Sequence, residues 1–160
     1  VSLADIREVV RTFGGVEHRI ELVRVLDGVE WYNDSIASSP TRTMAGLDSF
    51  DKKICVIAGG YDKKIPYAPL APKLLEKAKL LILMGATGPK IEQAVRECPG
   101  FSASGLTILH AGNMEEAVRL ARENTAPGDI VTLSPASASF DLYRNFEERG
   151  RHFKTLVNAL

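Results

Sequence analysis

The stretch DIVTLSPASASFDLYRNFEERG, Asp129 to Gly150, changes its period halfway along. Asp129-Ile130-Val131-Thr132-Leu133 is a short apolar run rich in β-branched residues, which reads as a buried strand. Three hydroxyls follow within six residues, at Ser134, Ser137 and Ser139. Phe140, Leu142, Tyr143 and Phe146 then recur at helical spacing, so the strand predicts a serine-rich turn feeding a helix. A helix N-terminus carries partial positive charge and unpaired N–H donors, which suits a carboxylate or a phosphate. Two readings of the serines stand side by side. Ser139 caps the helix and the others fill a loop, or the hydroxyls line a ligand site at the carboxyl end of a strand, where open α/β sheets bind their ligands.

Working outward from that stretch, strands and helices alternate. Ile20–Leu26 and Val29–Tyr32 read as two strands joined by Asp27-Gly28, a two-residue hairpin signal. Pro40 opens a helix running to about Leu47. Lys53–Ala58 reads as a strand ending in Gly59-Gly60, and Leu80–Met84 as another. Leu106–Leu109 is a short third. Helices are predicted over Pro69–Ala78, Pro89–Glu97 and Met114–Glu123, and again towards Leu160. A leading amphipathic helix is predicted over Ser2–Phe13, stopped by Gly14-Gly15. This order predicts a three-layer, Rossmann-like α/β domain. Its sheet is mostly parallel, with an antiparallel N-terminal strand supplied by the hairpin. Residues 1–16 read as a linker with its helix, and 17–160 as one domain.

Composition narrows the function classes. A chain of 160 residues can bury a proper core, and 45% apolar with 25% charged residues is ordinary for a globular domain. Twenty basic and twenty acidic side chains cancel, so no basic surplus points to nucleic acid or an anionic membrane. No apolar run approaches a membrane span, and the amino end lacks the shape of a signal peptide. Cys55 and Cys98 are not at metal-ligand spacing, and a reducing, cytoplasmic setting is expected. The chain begins at Val1, which a processed start or an excised piece of a longer protein would both explain.

Four loops are expected at the carboxyl rim of the sheet: Asn33–Pro40, Gly59–Lys64, Gly85–Gly88 and the serine turn. Lys63, Asp34 and the hydroxyls offer charge and hydrogen bonds there. Lys63 and Lys64 also read as solvated surface, and Asp34 as a local turn former. Gly85-Ala86-Thr87-Gly88 lacks the spacing of a dinucleotide loop, and no GxxxxGK[ST] occurs. Arg19 suits a phosphate clamp, or an ion pair with Glu17 or Glu21. His110 and His152 have no partner pattern. Trp31, with Phe13, Phe50, Phe101 and Phe153, reads as packing.

Together, HRIELV (His18–Val23), WYNDSIASSPTRT (Trp31–Thr43), IAGGYDKK (Ile57–Lys64) and SPASASFDLYRNFEERGRHF (Ser134–Phe153) resemble the carboxy-terminal domain of the Mur ligases, in the right order. The NDSIASSP segment, where most members carry a His-containing motif, resembles the branch that adds D-glutamate. That resemblance implies a three-domain, ATP-dependent amide ligase of peptidoglycan synthesis in the bacterial cytoplasm. This chain would be its third domain, inactive alone. The UDP-binding domain, and the central domain with the P-loop and Mg2+ ligands, would be its absent partners.

In such an enzyme ATP converts the carboxylate of UDP-N-acetylmuramoyl-L-alanine to an acyl phosphate, which the amine of D-glutamate attacks. Carried over by position, the resemblance puts Arg19 near the nucleotide phosphates and Asp34 on the ribose. It puts Ser38, Lys63, Ser139 and the backbone N–H of Phe146 on D-glutamate, with no catalytic residue and no metal ligand in this domain. Many members read NDSKATN, so Ile36, Ser38 and Ser39 stand here for Lys, Thr and Asn. A folylpolyglutamate synthase-like domain and a non-catalytic Rossmann-like binding module are the alternatives.

Overall fold

The computed structural model describes Ser2, Asp5 and residues 15–160. The predicted leading helix, Phe13 included, therefore lies outside the described residues, apart from Ser2 and Asp5. Those two exchange a reciprocal bond pair, Ser2 N–H to Asp5 Oδ2 at 2.8 Å and Asp5 N–H to Ser2 Oγ at 3.1 Å, the pattern of an N-terminal capping box.

Among the described residues six strands form one sheet in the order β1-β2-β6-β3-β4-β5. They are β1 (Glu21–Leu26), β2 (Val29–Asn33), β3 (Ile54–Gly59), β4 (Ala78–Met84), β5 (Thr107–His110) and β6 (Ile130–Leu133). Only β1 runs antiparallel. Its hairpin turn holds Asp27 at φ 49° and Gly28 at φ 79°. Two positive φ values match the twist that a tight hairpin needs.

Helices cover both faces of the sheet. On one lie α1 (Pro40–Leu47), α2 (Ala71–Lys77), α3 (Gly88–Glu97) and the short α4 (Phe101–Ser104); on the other lie α5 (Met114–Glu123) and α6 (Phe146–Ala159). Successive strand residues point to opposite faces. Accordingly Val56, Ala58, Leu81 and Leu83 join Leu47, Leu70, Leu74, Ile91 and Val95 in one core. Cys55, Ile57, Ile82 and Trp31 join Met114, Ala117, Phe153 and Val157 in the other. This is the expected three-layer α/β domain.

Three local expectations need correction. The apolar residues Phe140 and Leu142 are exposed and lie in a turn, and α6 starts only at Phe146. Its N-cap is Asn145, whose side chain accepts from Glu148 N–H at 2.8 Å, so Ser139 is not the cap. The helix predicted over Pro69–Ala78 is a 3-10 turn (Ala68–Leu70) followed by α2, and Ala78 already pairs with Ile54 in the sheet. α4 has too few residues to show a period.

The chain position of β6 decides where a ligand can lie. β6 is inserted between β2 and β3, and it leads to α6 on one face while its two neighbours lead to helices on the other. That divergence opens a crevice above the carboxyl ends of β2, β6 and β3.

Candidate functional site

Asn33 at the end of β2 pairs with Leu133 at the end of β6, which pairs in turn with Ile57. The loops leaving these ends are stitched together through the backbone. Asp34 N–H donates to Leu133 O at 2.8 Å, Ala136 N–H to Ala37 O at 2.9 Å and Gly59 N–H to Pro135 O at 2.8 Å. Tyr61 N–H donates to Ala138 O at 2.8 Å, an antiparallel bridge between the β3 and β6 loops. Gly59 holds φ at 108°, and a Cβ there would lie 1.9 Å from Met84 O, so only glycine lets β3 leave the sheet beside β4.

Two pockets open on this rim. The first, about 230 Å³, is lined by Arg19, Ile20, Asp34, Ile36, Ala37, Arg42, Ala45 and Gly46. Asp34 forms its floor and is 4% exposed. Its carboxylate accepts from Ser134 Oγ–H at 3.0 Å and from Ile20 N–H at 3.3 Å. Burial pushes the Asp34 carboxyl up to about 6, against the two hydrogen bonds and the nearby Arg19 guanidinium, which pull it down. A Cβ on Gly46 would lie 2.5 Å from Asp34 Oδ2, so glycine in α1 leaves room for the carboxylate. Ile20 holds φ at 45°. That costs a β-branched residue strain, and it turns the Ile20 N–H onto Asp34.

The second pocket, about 280 Å³, is lined by Ser38, Arg42, Lys63, Ala138, Ser139, Phe140, Asn145, Phe146 and Glu147. It faces the N-terminus of α6, a 14-residue helix whose first N–H groups are those of Phe146 and Glu147. Such an end suits an anion. Lys63 is exposed, with its Nζ 5.7 Å from the centre of the Phe140 ring. Phe140 also packs edge-on against Tyr61, with ring centres 6.0 Å apart.

The serine turn divides its work. Ser134 bonds Asp34 and Thr43. Ser137 sits between the Tyr67 hydroxyl and Thr87 Oγ1, each at 2.8 Å. Ser139 is buried at the wall of the second pocket. Thr87 also accepts from Gly60 N–H, so the Gly85–Gly88 loop is locked into the rim.

The six residues singled out in the sequence thus fall into two sets. Arg19 and Asp34 line one pocket, and Ser38, Lys63, Ser139 and Phe146 line the other. The Glu17 and Glu21 carboxylates are occupied by Lys154, at 3.0 and 2.9 Å, which leaves Arg19 to the Asp34 pocket. His110 Nε2 lies 2.8 Å from a Glu92 carboxylate oxygen and His152 Nε2 3.1 Å from one of Glu115.

Sequence reasoning missed two arginines. Arg42, in the first turn of α1, lines both pockets. Arg149 is 2% exposed and stands behind the second. It donates to Ser35 Oγ at 3.0 Å, Ser35 O at 2.8 Å, Ser137 O at 2.9 Å and Ser38 Oγ at 3.3 Å, four uncharged acceptors. Burial pushes Arg149 down to about 10, so it stays charged at neutral pH. The signal was present: Arg149 falls on the inward stripe of α6 between Phe146 and Phe153, where a charge is out of place.

Among the described residues one group could hold a metal: Glu17, His18 and Glu21. Lys154 already pairs with both carboxylates, and burial lowers the basicity of His18. That donor set does not suit Mg2+, which prefers free carboxylate and water oxygens. No helix among the described residues is long and apolar enough to cross a membrane.

Residues 18–137 match the family model "Mur ligase, glutamate ligase domain". The chain is 62% identical to a UDP-N-acetylmuramoylalanine–D-glutamate ligase of Symbiobacterium thermophilum, over 99% of this chain and 34% of that protein. It is 57% identical to the enzyme of that name from Acetivibrio thermocellus, over 97% and 34%. The chain therefore spans about a third of the length of these relatives. Its fold is similar to that of a UDP-N-acetylmuramate–alanine ligase from Thermotoga maritima, at a TM-score of 0.68 and 14% identity, over 99% of this chain and 34% of that one. A bifunctional folylpolyglutamate synthase/dihydrofolate synthase from Yersinia pestis is similar at 0.64 and 16%, over 98% and 35%. The chain belongs to the Mur ligase glutamate ligase domain family.

Proposed function

We propose that this chain is the third domain of a ligase that adds D-glutamate to UDP-N-acetylmuramoyl-L-alanine at the expense of ATP. The observation that carries the reading is the division of the rim into two adjoining pockets, one with an acid floor and one lined by cationic and hydroxyl groups. In this reading Asp34 accepts from the ribose hydroxyls and Arg19 meets the nucleotide phosphates. Lys63, Ser38, Ser139 and the Phe146 N–H hold the two carboxylates of D-glutamate, with its amine facing the junction of the pockets.

ATP would supply the phosphoryl group that activates the acceptor carboxylate. Mg2+ would be held by the central domain, since the Glu17–His18–Glu21 group does not suit it. Both pockets are open, which fits a domain that closes over its substrates together with the rest of a longer chain and excludes water as it does. The fold is shared with folylpolyglutamate synthases; what favours D-glutamate is the 52–62% identity to ligases named for it.

The test is amide formation by a chain carrying all three domains. ADP release dependent on D-glutamate and on UDP-N-acetylmuramoyl-L-alanine is expected, with none from residues 1–160 alone. Turnover with a folate acceptor and L-glutamate instead, or turnover by residues 1–160 alone, would overturn the assignment.

A further inference from the structure

We propose that Arg42 is a phosphoryl-binding residue at the junction of the two pockets. This rests on the assignment of the Asp34 pocket to the nucleotide and the Lys63 pocket to the amino acid. Arg42 belongs to the lining of both. It projects from the first turn of α1, is exposed, and its only hydrogen bond among the described residues is a long one, Nη1 to Ile36 O at 3.5 Å. No carboxylate of a described residue pairs with it, whereas Lys154, Lys73 and Arg119 each have two. A guanidinium without a partner, standing between two sites that both receive anions, has a vacant planar fork of N–H donors.

The chemistry of the transfer specifies which anion occupies that fork. The bond from the γ-phosphorus to the β-phosphate oxygen breaks, and one from the same phosphorus to the acceptor carboxylate oxygen forms, with ADP leaving. When the amine attacks the acyl carbon, inorganic phosphate leaves and the amine sheds a proton to solvent. The phosphoryl group therefore starts on the nucleotide and ends beside the amino acid. Its non-bridging oxygens need a cation reachable from both pockets. Lys63 lines only the second pocket and Arg19 only the first. Ile36, which stands where many members of the family carry Lys, lines the first pocket next to Arg42 and contributes no charge. Arg42 supplies that charge from the first turn of α1, its Nη1 3.5 Å from Ile36 O.

The experiment uses the three-domain protein and compares Arg42→Gln, Arg42→Lys and the double variant Ile36→Lys/Arg42→Gln. Titration calorimetry with ADP and with AMPPNP reads the γ-phosphate separately from the rest of the nucleotide. Arg42→Gln is expected to weaken AMPPNP about tenfold and ADP less than threefold. It should lower kcat ten- to a hundredfold while the KM for D-glutamate moves less than threefold. Arg42→Lys and the double variant should each recover part of the AMPPNP preference, which a merely structural role would not do. Equal weakening of ADP and AMPPNP, no weakening of either, or a rise confined to the KM for D-glutamate would overturn the role. Failure of the wild type to ligate D-glutamate would instead sink the functional assignment, while the ADP–AMPPNP contrast would still report on Arg42.

Discussion

The two pockets of the rim share a wall yet are built on opposite plans. In the Asp34 pocket the polar floor is buried and satisfied. Ser134, Ile20 and the sheet register fix the carboxylate, and α1 approaches through a glycine. In the Lys63 pocket the contact groups are of two kinds, with Ser139 buried and Ser38 Oγ accepting from Arg149 while the others stand in the open. Lys63 is exposed, Phe140 is 60% exposed, and the regular element at this pocket is the N-terminus of α6. Its loops are tied together from behind, through the four hydrogen bonds of Arg149. The contrast teaches that one half of the rim is preorganised by the sheet, whereas the other is an open surface backed by a buried charge.

The largest expected effect falls on that backing. Arg149→Met removes four charge-assisted hydrogen bonds, leaving Ser137 O without its donor and Ser35 O with only the long bond from Ser38 Oγ at 3.5 Å. Each buried acceptor left unsatisfied costs roughly 1–3 kcal/mol, a Tm drop on the order of 10 °C in all for a domain of this size. Thermal unfolding followed by circular dichroism checks it. A variant as stable as wild type would break the comparison, because the second pocket would then be held by its own loops.

These differences mark how much of the molecule was legible in the chain. The alternation of β-branched runs with amphipathic runs gave the layers, and Asp27-Gly28 gave the hairpin, because periodicity and turn chemistry are local properties. That Asp34, Lys63 and the serine hydroxyls share one rim followed from strand ends, whereas the grouping of Arg19 with Asp34 and of Lys63 with Ser139 was implied by the resemblance to the Mur ligases. What was illegible depended on three dimensions. Phe140 and Leu142 carry helical spacing but face solvent, so hydrophobicity misreported the start of α6. The bond between His18 Nδ1 and the Asn33 side-chain amide, 2.8 Å long under a helix whose Gly150 leaves room for the ring, joins three elements far apart in sequence. Arg42 reads as an ordinary surface residue of α1 until both pockets are seen to share it.

Asp34 sharpens the other side of the comparison through pH. Its folded carboxyl titrates at about 6 against 3.8 for an unperturbed one. Between those values the folded chain keeps a proton that the unfolded chain has released. This contribution to stability is therefore full below pH 4, is lost as pH rises towards 6, and is flat above. Asp34→Asn removes the slope and should be more stable than wild type at pH 7, by up to about 3 kcal/mol. Other groups tilt the curve the opposite way: His18 is lowered by burial, and Glu17, Glu21 and Asp129 are lowered carboxylates. The difference between variant and wild type across pH 4–7 isolates Asp34. A flat difference curve would show that the floor of the first pocket is not under electrostatic strain.

Lys63→Ala should leave stability alone and act on ligand alone. The side chain is exposed, and its one described contact of note is the Phe140 ring. An exposed cation–π contact is worth only ~0.5–1 kcal/mol. Against a carboxylate, however, a charge-assisted hydrogen bond contributes ~1.5–3 kcal/mol. In the three-domain enzyme the KM for D-glutamate should then rise roughly ten- to a hundredfold, with the KM for ATP and the Tm nearly unchanged. Because Lys63 lines only the second pocket, a parallel rise in the KM for ATP would mean that the two pockets act as one site. An unchanged KM for D-glutamate would return Lys63 to the solvated surface, and the second pocket would then owe its affinity to the α6 N-terminus and the serine hydroxyls.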